Sequence, residues 1–324
     1  MPLSRREWLR GAAALAAVMG TSCRREAVPV LQPFSYCLNT STISGSRIGL
    51  VREIEVAAAA GYDGIEIWLR SLEQYLEGGG SLADLRRRID DLGIRVESAI
   101  GFARWIVDDV AERARALEGV KRDMERLAQL GCARIAAPPA GATKDPRLDL
   151  RRVAERYRAL LETGDQFGVV PQVEVWGASK NLGRLAEAVY VAVECGHPNA
   201  CLLPDVYHLY RGGSGFEGLG LLGGRAVQVF HINDYPADPP RERLTDADRV
   251  LPGQGVAPLG EVLRTLASHG REIALSLELF NRDLWKLDPG QVARTGLEAM
   301  KSQVRRAAAA AEDPAMKRRE SHAA

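Results

Sequence analysis

Val227-Gln-Val-Phe-His-Ile-Asn-Asp234 sets an imidazole near the end of a short apolar run. Strand side chains alternate with period two, so Val227, Val229 and His231 share one face. Three other segments have the same form: Gln172-Val-Glu-Val-Trp176, Cys201-Leu-Leu-Pro-Asp-Val-Tyr-His208 and Ala274-Leu-Ser-Leu-Glu-Leu-Phe280. They offer Glu174, Asp205 and Glu278, and Ala274, Ser276 and Glu278 again share a face. A βα unit repeats every ~30 residues or more, so ligands at this spacing converge at one end of a parallel sheet while staying far apart in sequence. Three carboxylates and one imidazole suit a single divalent cation such as Mn, Co, Mg or Zn. The expected centre is therefore Glu174, Asp205, His231 and Glu278 around one metal ion.

Working outward, short apolar runs alternate with longer amphipathic stretches. The strands expected are Phe34–Leu38, Gly64–Trp68, Arg95–Ile100, Ala133–Ala137, Val170–Val175, Ala200–Asp205, Val227–Ile232 and Ile273–Leu279. Between them the pattern predicts helices over Leu50–Ala60, Ser81–Leu92, Asp109–Leu130, Leu150–Phe167, Asn181–Cys195 and Pro258–Ser268. Gly61, Gly93, Gly131 and Gly168 stand just past helix ends, where a left-handed residue stops the helix. Eight β-runs alternating with helices point to an α/β protein, a closed barrel or a doubly wound sheet. The count of eight, with polar residues gathered at strand C-termini, selects the (β/α)8 TIM barrel, which needs about 250 residues and keeps its active sites at that face.

The barrel is assigned to residues 33–303. Ahead of it, Arg5, Arg6 and Arg10 precede the apolar run Gly11–Gly20. A charged segment followed by a short apolar one reads as an export signal over residues 1–23, and the Arg5-Arg6 pair resembles a twin-arginine signal. Gly20-Thr-Ser-Cys23 leaves two outcomes open, a lipidated Cys23 anchoring the protein to a membrane or cleavage to a soluble periplasmic form. Residues 24–32 read as a linker. Residues 304–324, rich in Ala, Arg and Lys, read as a low-complexity tail.

Lys and Arg number 43 against 42 Asp and Glu, a formal charge of +1. A body so nearly neutral lacks the basic footprint of a nucleic-acid binder and suits a small neutral substrate. The five cysteines are scattered without a CxxC pair, a poor basis for a disulfide framework or a thiolate metal site.

Gly61-Tyr-Asp-Gly-Ile-Glu-Ile-Trp68, Val173-Glu174, Asp205-Val-Tyr-His208, His231-Ile-Asn-Asp234, Asp248-Arg-Val-Leu-Pro-Gly-Gln-Gly255 and Ser276-Leu-Glu-Leu-Phe-Asn281 occur in this order. Together they resemble the xylose-isomerase-like barrels, the sugar-phosphate isomerase/epimerase group, over about residues 33–303. The resemblance implies one divalent metal held by Glu174, Asp205, His231 and Glu278, with Glu174 and Glu278 doubling as acid and base across a bound sugar. It implies substrate contacts for His208, Asp234 and Arg249. Many relatives carry an acidic residue where Gln254 stands, and the 235–251 loop is longer than in compact ketose epimerases. An exported protein has little use for a phosphorylated sugar, so a free sugar, a cyclitol or a glycoside-derived ketone is expected.

Moving a proton beside a carbonyl creates an enediolate, whose charge a divalent cation stabilises as a Lewis acid. Glu174 and Glu278 would remove and return the proton; return to the opposite face is epimerisation, and return to the next carbon is isomerisation. Loss of a β-hydroxyl would make the protein a lyase or dehydratase, and a hydrolytic enzyme on an oxidised glycoside would use the same groups. Glu66 on the second strand is expected to reach the mouth. Trp176, with Trp68, Trp105 and Trp285, would supply a wall for the sugar. For Asp205 and His208 purely structural roles stay open, Asp205 as the cap of the next helix. A multi-zinc nuclease on the same barrel would need more histidines than the five present. A non-catalytic sugar-binding protein would need no acid–base pair.

Overall fold

The computed structural model describes residues 34–312. The expected export signal, linker and Cys23, and the tail beyond Glu312, lie outside the described residues. Eight strands alternate with helices: β1 Phe34–Asn39, β2 Gly64–Trp68, β3 Arg95–Ile100, β4 Arg134–Ala137, β5 Val170–Glu174, β6 Leu202–Leu203, β7 Val229–Ile232 and β8 Ile273–Leu277. All pair in parallel, in the order β6-β5-β4-β3-β2-β1-β8-β7. Parallel bridges Leu202–Val227 and Asp205–His231 join β6 to β7 and close the ring. The fold is the TIM barrel read from the strand count.

The surrounding helices are α1 Leu50–Ala60, α2 Leu69–Glu77, α3 Leu82–Asp91, α4 Val110–Gln129, α5 Leu150–Asp165, α6 Leu185–Glu194, α7 Val206–Arg211, α8 Leu259–Ala267 and α9 Pro289–Glu312. Their starts follow side-chain capping. Ser81, Asp109 and Asp149 accept from the backbone N–H of Asp84, Glu112 and Arg151, satisfying donors the first turn leaves free. Gly61, Gly93, Gly131 and Gly168 all take positive φ, as their places past helix ends require.

Inside the ring, Cys37, Ile100, Ala136, Leu203, Val229 and Ala274 form a buried cluster drawn from six strands. This packed plug is one layer of the kind that fills such barrels, whose active sites lie at the C-terminal mouth. The four cysteines among the described residues are buried and free. A larger apolar shell lies between sheet and helices.

One boundary moves. The low-complexity tail was expected from residue 304, but α9 runs unbroken to Glu312. Val292, Ala293, Leu297, Met300, Val304, Ala307 and Ala308 are buried at helical spacing, against α1 and α8. The Ala-rich run is thus part of the barrel's outer ring, because small side chains let the helix lie close to its neighbours.

Candidate active site and metal centre

The four residues expected to bind a metal gather at the barrel's C-terminal mouth. Glu174 ends β5, Asp205 follows β6, His231 lies in β7 and Glu278 follows β8. All are 3% exposed or less. Period-two alternation sends Val229 and Ala274 into the plug and His231 and Ser276 into the polar layer above it, where they pair across β7 and β8. One ligand atom from each of Asp205, His231 and Glu278 lies within 4.8 Å of the others.

Glu174 stands outside that trio, a difference from the four-ligand expectation. It lines the same cavity as Glu278 and His208. Its carboxyl is pushed up to about 8 by burial, with Glu278 and Asp205 adding to the rise and His231 opposing it. Three carboxylates cannot all ionise cheaply in one buried site.

His231 is oriented from below. Glu66 Oε2 lies 2.9 Å from its Nε2 and accepts from Asn39 Nδ2 at 2.8 Å and Ser276 Oγ at 2.7 Å. Strand register sets this up, since Asn39 sits beside Glu66 and Ser276 beside His231. The expectation that Glu66 reaches substrate is therefore corrected: fully buried, it is spent on holding His231. Burial works against charge on Glu66, but His231 and these hydrogen bonds outweigh it and hold the carboxyl below its ordinary value. A carboxylate behind a ligating imidazole fixes the ring and strengthens its donor nitrogen.

The other face of His231 looks at the carboxylates. Nδ1 lies 3.2 Å from Glu278 Oε2 and 3.6 Å from Asp205 Oδ2, yet makes no hydrogen bond, and neither does Glu174 Oε2. Burial opposes charge on the imidazole, but Glu278, Glu66 and Asp205 outweigh it and hold its pKa well above 6.5. Such a pocket demands positive charge. An imidazole nitrogen and carboxylate oxygens facing one another in a buried pocket are a donor set that fits a divalent cation; Asp205, His231 and Glu278 would hold it.

Asp205 is the helix cap that its sequence position left open, and it also faces the site. Oδ1 caps α7 by accepting from His208 N–H at 2.9 Å. Oδ2 faces the site and accepts from Asn233 Nδ2 and Arg249 Nη1. Burial would raise its pKa, but Arg249 and the histidines hold it well below the usual carboxylate range.

Arg249 is at the site, but not as a free anchor. Its Nη1 donates to Asp205 at 2.9 Å and Glu278 at 2.7 Å, its Nη2 to Asp246 at 2.6 Å. Its guanidinium lies 4.5 Å over the Tyr207 ring and 5.1 Å over Phe280. Burial opposes its charge, yet Asp205 and Glu278 hold the pKa above the ordinary arginine value.

His208 lines the cavity, with Gly177 N–H 3.3 Å from Nδ1 and Arg249 Nη2 3.2 Å from Nε2. Burial lowers its pKa and Asp205 raises it, the balance falling below 6.5, so the ring is neutral at neutral pH.

Asp234 is corrected outright. Its carboxylate accepts four backbone N–H groups, from Tyr235, Gly253, Gly255 and Ala257. It is 1% exposed and organises the Pro252-Gly-Gln-Gly255 turn instead of touching substrate. A Cβ at Gly255 would fall 2.2 Å from Tyr235 O and 2.3 Å from Asp234 Oδ1, which is why glycine stands there.

The mouth is a cavity of about 680 Å³ that includes Glu174, His208, Arg249 and Glu278. An aromatic arc rims it: Trp68 to Phe102 at 5.3 Å, Phe102 to Trp176 at 6.0 Å, and Trp68 to Phe280 at 5.9 Å. Trp176 thus stands where a substrate wall was expected. Trp105 does not; it is fully buried and donates to Pro138 O. Asn39, Ser276, Asn233 and Asp246 are site-supporting residues that sequence reasoning passed over. The only signal for any of them was Ser276, two residues before Glu278 on the same strand face.

Comparisons with known proteins agree with this geometry. The chain is 28% identical over 272 residues to inosose isomerase of Bacillus velezensis, covering 83% of this chain and 96% of the relative. It is 29% identical over 258 residues to 3-dehydroshikimate dehydratase of Pseudomonas aeruginosa, covering 75% of this chain but only 37% of that longer protein. A crystal structure of IolI protein with a bound zinc atom superposes with a TM-score of 0.77 at 25% identity, covering 83% of this chain and 98% of that one. The family model for the xylose isomerase-like TIM barrel matches residues 54–303. The chain belongs to the xylose isomerase-like TIM barrel family.

Proposed function

We propose that this protein is a divalent-metal-dependent isomerase or epimerase acting on a sugar or cyclitol ketone. The observation that carries the reading is the buried trio Asp205, His231 and Glu278 with Glu174 lining the same cavity. The inosose isomerase relatives supply the substrate class. A divalent cation held by the trio would supply Lewis acidity to the substrate's carbonyl and neighbouring oxygen.

This chain's residues do the rest. Glu278, paired with Arg249 and bonded by Asn39 Nδ2 at 3.1 Å, takes the proton from the carbon beside the carbonyl. Glu174 begins with its proton and delivers it, either to the opposite face of that carbon or to the next one, in which case the hydroxyl proton on the first carbon passes to the former carbonyl oxygen. Two carboxyl groups in unlike environments are the usual way one site runs both acid and base chemistry. Neutral His208 hydrogen-bonds a substrate hydroxyl, and the Trp68–Phe102–Trp176 arc packs against the ring's C–H face. The test is deuterium uptake from solvent into inosose or a ketohexose. Glu278→Gln should stop uptake with the fold intact; full retained uptake would sink the assignment.

A second reading is elimination, favoured by the dehydratase relatives. Glu174 would then give its proton to a departing β-hydroxyl, and the product would be lighter by one water in a mass spectrum. From the Arg5-Arg6 pair and the apolar run after it we further propose that the protein works outside the cytoplasm, as a periplasmic or membrane-anchored form; cell fractionation tests this, and a purely cytoplasmic protein would overturn it.

A further inference from the structure

A second and larger cavity, about 980 Å³, opens on the same face of the barrel. It lies over the 40–46 turn and the first turns of α1 and α2. Trp68, Phe280 and Trp285 line both cavities, so the two share an aromatic wall. That wall is held in place: Trp68 Nε1 donates to Asn39 Oδ1, and Trp285 Nε1 donates to Ser41 O, each at 2.9 Å. Gly45 lets Trp285 pack against the turn, since a Cβ there would fall 2.2 Å from the Trp285 Cβ.

The cavity's lining also includes polar side chains. Behind it, Glu53 is 4% exposed and Ser41 2% exposed, and Glu53 Oε2 and Ser41 Oγ are buried with no hydrogen-bond partner. Unsatisfied buried polar atoms are costly. Burial pushes the Glu53 carboxyl up to about 7, so near neutrality it both donates and accepts. Thr40, Ser44, Gln74, Arg47 and Arg70 add further polar groups.

We propose that this cavity is a second sugar subsite, so that the substrate is a two-ring glycoside whose carbonyl ring lies over Glu278 while its other ring fills this cavity. The inference rests on the isomerase reading above for the carbonyl ring. Cavities of about 300–1,000 Å³ hold whole small ligands, so each compartment has room for one ring. Indole faces for C–H surfaces, with hydroxyl, amide and acid groups around them, are what a polyol needs.

Calorimetric titration of the metal-bound protein with fructose and with maltulose, a glucosyl-fructose, tests this. Maltulose should bind at least about tenfold tighter, a difference of roughly 1.4 kcal/mol. Ser71→Trp, which blocks the cavity from α2, and the milder Arg70→Ala should both erode that advantage and leave fructose binding unchanged. Equal affinities, an advantage that survives both variants, or binding of neither sugar would overturn the subsite. Deuterium uptake separates the two claims. Exchange into fructose with no disaccharide advantage keeps the isomerase reading and removes the subsite. A maltulose advantage without exchange into either sugar keeps the subsite and removes the isomerase reading.

Discussion

Glu66→Gln isolates what the buried base of the site contributes. One oxygen, Oε2, takes all three contacts, from Asn39, Ser276 and His231, while Oε1 has no partner. Glutamine can place its carbonyl oxygen in the same spot and keep the geometry. Two things change. The three bonds lose the charge that makes such contacts roughly twice as strong, and an amide nitrogen arrives where nothing accepts from it, costing about 1–3 kcal/mol. His231, no longer backed by a negative charge, becomes a weaker donor. Loss of such a backing carboxylate typically costs 10–100-fold in metal affinity, about 1.4–2.7 kcal/mol. The assay is competition for Zn or Mn against a chelator of known affinity, with circular dichroism confirming the fold. A fall within that range supports the account. Unchanged affinity in a folded variant would refute the role given to Glu66.

Other outcomes follow from the same contacts. Glu278→Gln should lower deuterium exchange by about 10²–10⁴-fold, the usual worth of a positioned base, in a variant that circular dichroism shows still folded. Glu53 has a folded-state pKa of about 7 against an ordinary 4.5, so the folded protein resists its ionisation. Wild-type stability should therefore fall as pH rises from about 4.5 to 7 and then level. Glu53→Gln should be more stable at pH 8, by on the order of 2–3 kcal/mol, and equal at pH 4; parallel denaturation curves at both would contradict this. Gly255→Ala should destabilise by about 1–3 kcal/mol through overpacking against Tyr235 and Asp234, visible in urea melts.

Strand count and the gathering of Glu174, Asp205, His231 and Glu278 at one mouth were legible because both obey short-range rules. Runs such as Ile273–Leu277 are apolar, bounded and buried, and a ligand two residues past Ser276 has to face the same way. The roles of Glu66, Asp234 and Arg249 were not legible, because each depends on a partner set by register. Glu66 meets Asn39 and His231 only once β1, β2 and β7 are assembled. An antiparallel bridge between Asp234 and Val250 folds the loop back. It turns the Asp234 carboxylate onto backbone amides and carries Arg249 to Asp205 and Glu278. The end of α9 was misjudged for a related reason. Arg305-Arg306 and the alanines after them look solvated in sequence, and only the neighbouring α1 and α8 reveal that Val304, Ala307 and Ala308 are buried.

The central claim is a single divalent cation held by Asp205, His231 and Glu278. Elemental analysis of the purified protein beside a His231→Ala, Glu278→Ala double variant tests it most directly. The account predicts about one equivalent per chain in the wild type and almost none in a variant that still folds. No metal in the wild type even after reloading, two or three equivalents, or one equivalent kept by the variant would contradict it.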